Sequence, residues 1–202
     1  MRKHRKILVL AVVAILFCYM GSLLLQKEQL SDALIRMHVV AASDSDAEQA
    51  LKLKVRDAVL KEVVALGEWE KTEEALCALS AHLDQIEAAA NQILKEEGSS
   101  HRAEVTLCTE EFPIRKYDTF TLPSGVYQSL RVTIGPGEGA NWWCVVFPKL
   151  CMPAVGEDVS SVAVDAGFSD SLIGTISGEK EYQVRFFLLD CLGKLENFFH
   201  FR

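Results

Sequence analysis

The segment that most constrains this chain is at its start. Arg2, Lys3, His4, Arg5 and Lys6 form a basic cluster, and Ile7 to Leu25 follow as 19 residues without a charge, interrupted only by Gly21 and Ser22. As a helix this run is about 28 Å long, the thickness of a bilayer core. The positive flank is expected to stay cytoplasmic, so the rest of the chain is expected outside. Two readings stand side by side: residues 1–25 are a signal peptide cut near Gly21-Ser22, or an uncleaved membrane anchor. Charge follows the same division. Residues 1–25 hold four Lys or Arg and no acid, which leaves 17 Lys+Arg against 28 Asp+Glu in residues 26–202, a net of −11. So acidic a body is a poor partner for nucleic acid.

Residues 26–33 read as a short polar stalk, and residues 34–202 as a single exported α+β domain. Ala33 to Ala42 is β-branched and apolar enough for a strand, with Arg36 and His38 alternating against Ile35, Met37 and Val39. Ser45 and Glu48 make a capping box before a helix from about Asp46 to Leu66, where Leu51, Val55, Val59 and Val63 recur at spacing four. The acids Asp44 and Asp46 suit that helix N-terminus better than a metal site. A second helix is expected from Thr72 to about Gly98, with Leu76, Leu79, Leu83, Ile86, Ala90 and Ile93 along one seam. The pattern then turns to strands at 102–109, 119–122, 126–134 and 141–147. Short turns between them suit antiparallel pairs. The expected architecture is an antiparallel sheet carrying an αα-hairpin and a C-terminal helix, preceded by the N-terminal hydrophobic helix. A weak helix at 159–176 and a clearer one at 181–199 complete the C-terminal part, 154–200.

The chemistry-bearing residues are few. Six cysteines occur (18, 77, 108, 144, 151 and 191) without C-x-x-C or zinc spacing, so neither metal nor cofactor is expected. Cys144 and Cys151 flank Pro148 and are candidates for a disulfide across a turn, with two buried thiols as the alternative. A Cys144 nucleophile needs a histidine base, for which His38, His82 and His101 are available. Gly135, Gly137 and Gly139 lie in a loop followed by a strand, which is not the setting of a phosphate-binding loop. Trp142 and Trp143 point to opposite sheet faces, so one is left for a helix to cover or a partner to bind.

Two blocks carry a family resemblance. Ile35 to Val59, IRMHVVAASDSDAEQALKLKVRDAV, resembles the N-terminal motif of stage II sporulation protein R. FPIRKY, starting at Phe112, and LPSGVYQSLRVTIGPGEGANWWCVVFPKLC, ending at Cys151, resemble its second block. Met37, Ala42, Ser129 and Lys149 depart mildly from the family pattern. The family motifs span 35–151. The resemblance implies an exported forespore protein acting in the space between forespore and mother cell. There it triggers a membrane-embedded aspartic-type protease, stage II sporulation protein GA, which cleaves the pro-form of mother-cell sigma factor E. It implies a signal and no enzyme, no cofactor and no small-molecule substrate. Arg36, His38, Gly135, Gly137, Gly139, Asn141, Trp142 and Trp143 are the expected contact residues for that partner. An exported thiol-dependent hydrolase and a cell-wall-binding module are the rival readings.

Overall fold

The structure, a computed structural model, describes residues 2–117, 120–148, 173–174, 177 and 183–200. Its elements are α1 (Arg2–Asp32), β1 (Ile35–Val40), α2 (Asp46–Ala65), α3 (Thr72–Ala81), α4 (Leu83–Glu96), β2 (Ala103–Phe112), β3 (Arg115–Lys116), β4 (Thr121–Leu122), β5 (Gly125–Ile134), β6 (Asn141–Phe147) and α5 (Gln183–His200). The expected helix at 159–176 falls outside the described residues apart from 173–174.

The α+β class holds. The four-stranded sheet has the order β2-β5-β1-β6, and β3 and β4 form a separate small hairpin. Two of its pairings, β1 with β6 and β2 with β5, are antiparallel, as the short turns predict. The sheet as a whole is mixed, however, because β1 pairs with β5 in parallel, Arg36 opposite Ser129 and His38 opposite Arg131. Between those strands the chain runs through the whole helical layer and β2. That path is long enough for the crossover a parallel pair requires.

Alternation along the strands gives the sheet two unlike faces. Met37, Val39, Leu130, Val132, Ile134 and Val105 point to the helical side, against Val55, Val59 and Val63 of α2 and Ile86, Ala90 and Leu94 of α4. Ser45 caps α2 as its sequence predicts, its hydroxyl accepting from the Glu48 N–H at 3.3 Å. The expected single helix from Thr72 to Gly98 is two helices. His82 breaks it, with φ −120° and ψ 16°, and its ring Nδ1 lies 2.7 Å from the Ala78 carbonyl. The break turns the seam, so α4 buries Ile86, Ala90 and Leu94 while Leu76, Leu83 and Ile93 are only half-buried.

Residues 26–32 are not a separate stalk. They are the last turns of α1, and they dock: Leu23, Leu30 and Leu34 are fully buried, and Lys27 pairs with Glu196 of α5. Upstream, the apolar side chains from Ile7 to Met20 face outward. By length and composition α1 is a helix able to cross a membrane. The C-terminal helix packs on the sheet end, as expected. Asp190 accepts from the N–H and hydroxyl of Ser124 at 3.0 and 2.7 Å, and Gly193 lies so close to the Ser124 carbonyl that no side chain fits there. Those bonds and Lys194, 2.6 Å away, outweigh the effect of burial and hold the Asp190 carboxyl below its ordinary pKa.

Candidate functional site

The β5–β6 loop and the β1–α2 turn meet at one end of the sheet. Gly135 and Gly137 have φ of +56° and +64°, conformations that glycine adopts freely. The far end of the loop is anchored. Gly139 N–H donates to the Ala41 carbonyl at 2.9 Å, and a Cβ on Gly139 would lie 2.3 Å from the Ser43 carbonyl oxygen. Ala140 N–H donates to Asp44 Oδ1 at 2.6 Å, so Asp44 ties this loop down, while Asp46 and Glu48 are the acids in the first turn of α2. Lys52, buried on α2, donates to the Ala140 carbonyl at 2.8 Å and to Gln49 Oε1 at 2.6 Å. Burial pulls the Lys52 pKa downward. The S-D-S-D turn, the K-L-K helix stretch and the G-x-G-x-G loop are therefore one structural joint. Asn141 is exposed at its edge.

The tryptophans point to opposite faces, as alternation requires. Trp142 is half-buried beside α2, with the Arg56 guanidinium 4.7 Å from its ring centre. Trp143 lies on the other face, stacked on His38 at 3.8 Å and 15°. That second face is the notable part of the molecule. Arg36 is fully buried there, its guanidinium 4.0 Å from the centre of Phe112 and 4.8 Å from that of Tyr127. Those rings meet at 83°, closing two sides of the guanidinium. Arg36 Nη2 donates to the Tyr117 hydroxyl at 3.2 Å, whereas Nε and Nη1 have no partner among the described residues. Burial lowers the Arg36 pKa. Phe112 also meets Trp143 edge-on at 4.8 Å, and the Arg115 guanidinium lies 5.2 Å from the centre of the Trp143 ring. His38 Nδ1 donates to Glu110 at 3.1 Å, and Arg131 Nη1 lies 3.5 Å from the same carboxylate.

Arg36 and His38, expected as exposed contact residues, are thus interior. The polar side of β1 is covered by the β3–β4 hairpin residues Phe120 and Leu122 and by α1, whose Leu30 joins the same cluster. Trp143 and His38 are brought together. The glycine loop is not joined to Arg36, because Asn141 pairs with Val40, four residues and about 13 Å further along β1. Sequence reasoning missed Glu110, Arg115, Tyr117 and Tyr127, and with them the aromatic neighbourhood of Arg36. The available signal was that Phe112 and Tyr127 fall on the same face as Arg36 once the register is known. A groove of roughly 430 Å³ also opens between the last turns of α1 and β5, near Lys27, Glu28, Gln128 and Glu196.

Cys144 is fully buried on the helical face and is disulfide-bonded. Its expected partner, Cys151, lies outside the described residues. Cys18, Cys77, Cys108 and Cys191 are free. The Cys144–His38 dyad of the hydrolase reading is not assembled, because Cys144 pairs with Met37 on one face while His38 points to the other.

The family model described as Stage II sporulation protein R (spore_II_R) matches residues 31–157. Stage II sporulation protein R of Bacillus subtilis (strain 168) is 40% identical over 124 residues, covering 59% of this chain and 54% of that protein. The chain thus spans about half the length of that relative. No solved structure matches the chain. The matched stretch takes in the docked end of α1, the glycine joint, the Arg36 layer and β6, and the chain belongs to the stage II sporulation protein R family.

Proposed function

We propose that this protein is an exported sporulation signal. Made in the forespore, it crosses the forespore membrane by α1 and activates the membrane-embedded, aspartic-type protease of the mother cell, stage II sporulation protein GA. That protease then cleaves the pro-form of sigma factor E. The observation that carries the reading is the junction of α1 with the domain. An apolar helix long enough to cross a bilayer runs without a break into turns that the folded body buries. A body held this way sits against a membrane surface, where a membrane protease presents its outward parts. Binding favours the active state of such a protease only by the difference in affinity for its two states. The contact surface is proposed to include the glycine joint at Gly135, Gly137, Gly139 and Asn141, with Trp142 and Trp143 beside it. The Cys144–Cys151 disulfide is proposed to fix the chain beyond β6.

The test is co-expression with the protease and a pro-sigma-factor reporter. The full chain should drive processing, and a secreted form beginning at Ser22, which keeps Leu23, Lys27 and Leu30 but loses the membrane segment, should drive it more weakly. A form beginning at Leu34 should fail. Processing that is independent of the protein, or equal for all three forms, would refute the reading.

A further inference from the structure

Among the described residues, Arg36 is a buried cation without a buried counter-charge. Among the described residues its one hydrogen-bond acceptor is the neutral Tyr117 hydroxyl, and Nε and Nη1 have none. Glu110, the carboxylate on the same sheet face, is occupied by His38 and Arg131. Arg115, the other guanidinium of the layer, adds positive charge to Arg36 rather than balancing it, and its own Nε is also buried without an acceptor. Burying a charge costs several kcal/mol unless it is paired and hydrogen-bonded. Packing alone does not call for an arginine at this position, since a methionine of similar length would fill the corner between Phe112 and Tyr127 without that cost.

We propose that the Arg36 layer is a carboxylate-binding site, filled in the signalling complex by an aspartate or glutamate side chain of the protein partner, with Arg36 as its main ligand and Arg115 as the second cation. One buried positive charge matches one carboxylate. A phosphate, with a charge of about −1.5 to −2, would bring a larger desolvation cost into the same apolar corner. Access is past the short β3–β4 hairpin, in which Arg115 pairs with Leu122 and Lys116 with Thr121 and whose Tyr117 touches the guanidinium. One oxygen of the incoming carboxylate takes the place of the Tyr117 hydroxyl on Nη2, and the other accepts from the partnerless Nε. The identity of the partner rests on the signalling reading above, whereas the site itself does not.

Two NMR reporters test the site in the full chain in detergent micelles: the Arg36 Nε–H signal and the Trp143 indole N–H, the latter identified by its loss in Trp143→Phe. Sodium acetate should shift both signals saturably, and sodium chloride at equal ionic strength should not. Arg36→Met should abolish the indole shift, and Arg115→Gln should weaken acetate binding several-fold. The proposal is overturned if acetate acts no differently from chloride, if the indole shift survives in Arg36→Met, or if inorganic phosphate binds more tightly than acetate. Should Arg36→Met fail to fold, unchanged acetate affinity in Arg115→Gln overturns it equally. A chain that binds acetate but drives no processing keeps the site and sinks the signalling reading. Normal processing without acetate binding does the reverse.

Discussion

On the helical face of the sheet, Met37, Val39, Leu130, Val132 and Ile134 meet the valines of α2 and the aliphatic stripe of α4. On the opposite face, Arg36 and His38 lie among Phe112, Tyr127 and Trp143, with Glu110 and Arg131 alongside. Both faces hold fully buried side chains, so burial of single residues does not distinguish them. They differ in what each element supplies. The aliphatic face is non-directional and gains with every methylene removed from water. The aromatic–cationic face gains from oriented contacts and carries costs where a donor lacks an acceptor. The first is built for stability. The second keeps polar groups in reserve, as a surface used by a partner would.

The sharpest way to break this comparison is to truncate a matched pair of buried side chains, one on each face. Leu130 is fully buried on the aliphatic face, so Leu130→Ala should cost about 2–5 kcal/mol in urea unfolding. Arg36→Met, equally buried on the other face, should change stability by less than about 1 kcal/mol or raise it, because it removes an unpaired buried charge. A loss at Arg36 as large as that at Leu130 would mean that the guanidinium is a structural keystone and that the two faces do the same work.

Between these two lies the glycine joint. A methyl group at Gly139 would meet the Ser43 carbonyl oxygen at 2.3 Å. Gly139→Ala should therefore force the loop away from the β1–α2 turn and cost about 1–3 kcal/mol, measured by thermal unfolding. An unchanged melting temperature would show that the joint yields freely and belongs with the adaptable surfaces.

Much of the aliphatic face was legible in the sequence, because spacing-four valines and strand alternation report burial directly. The spacing puts Val55, Val59 and Val63 in the core, and the apolar run gives β6 its full length. The helical break at His82 was not legible, because the apolar seam runs through it without interruption. On the second face, Arg36 and His38 alternate as the sequence predicts, but the side they share is interior rather than exposed. A charged residue on a strand is ordinarily taken as solvent-facing, and only the pairing of β1 with β5 and of β5 with β2 brings Tyr127 and Phe112 over Arg36. These contacts link positions 36, 112 and 127, and no local pattern encodes a register across such separations. The parallel β1–β5 pair escaped for the same reason. The glycine loop was seen as a turn, but its attachment to Asp44 and Lys52 depends on two segments about 90 residues apart.

The smallest expected effect probes the polar face alone. Burial pushes the Glu110 carboxyl upward, but the hydrogen bond from His38 and the charges of His38 and Arg131 outweigh it and leave the pKa below the ordinary value. A carboxyl whose pKa is depressed on folding contributes stability above its unfolded pKa, near 4.3, and loses it as pH falls through the lower folded value. Glu110→Gln should therefore be less stable than the parent at pH 7, by at most about 1 kcal/mol because the group is partly solvated. The gap should close in melts taken progressively below about pH 4. A gap that stays constant or widens down to about pH 3 would show that Glu110 acts through packing rather than charge. In that case the aromatic–cationic face would hold together by contact alone, as the aliphatic face does.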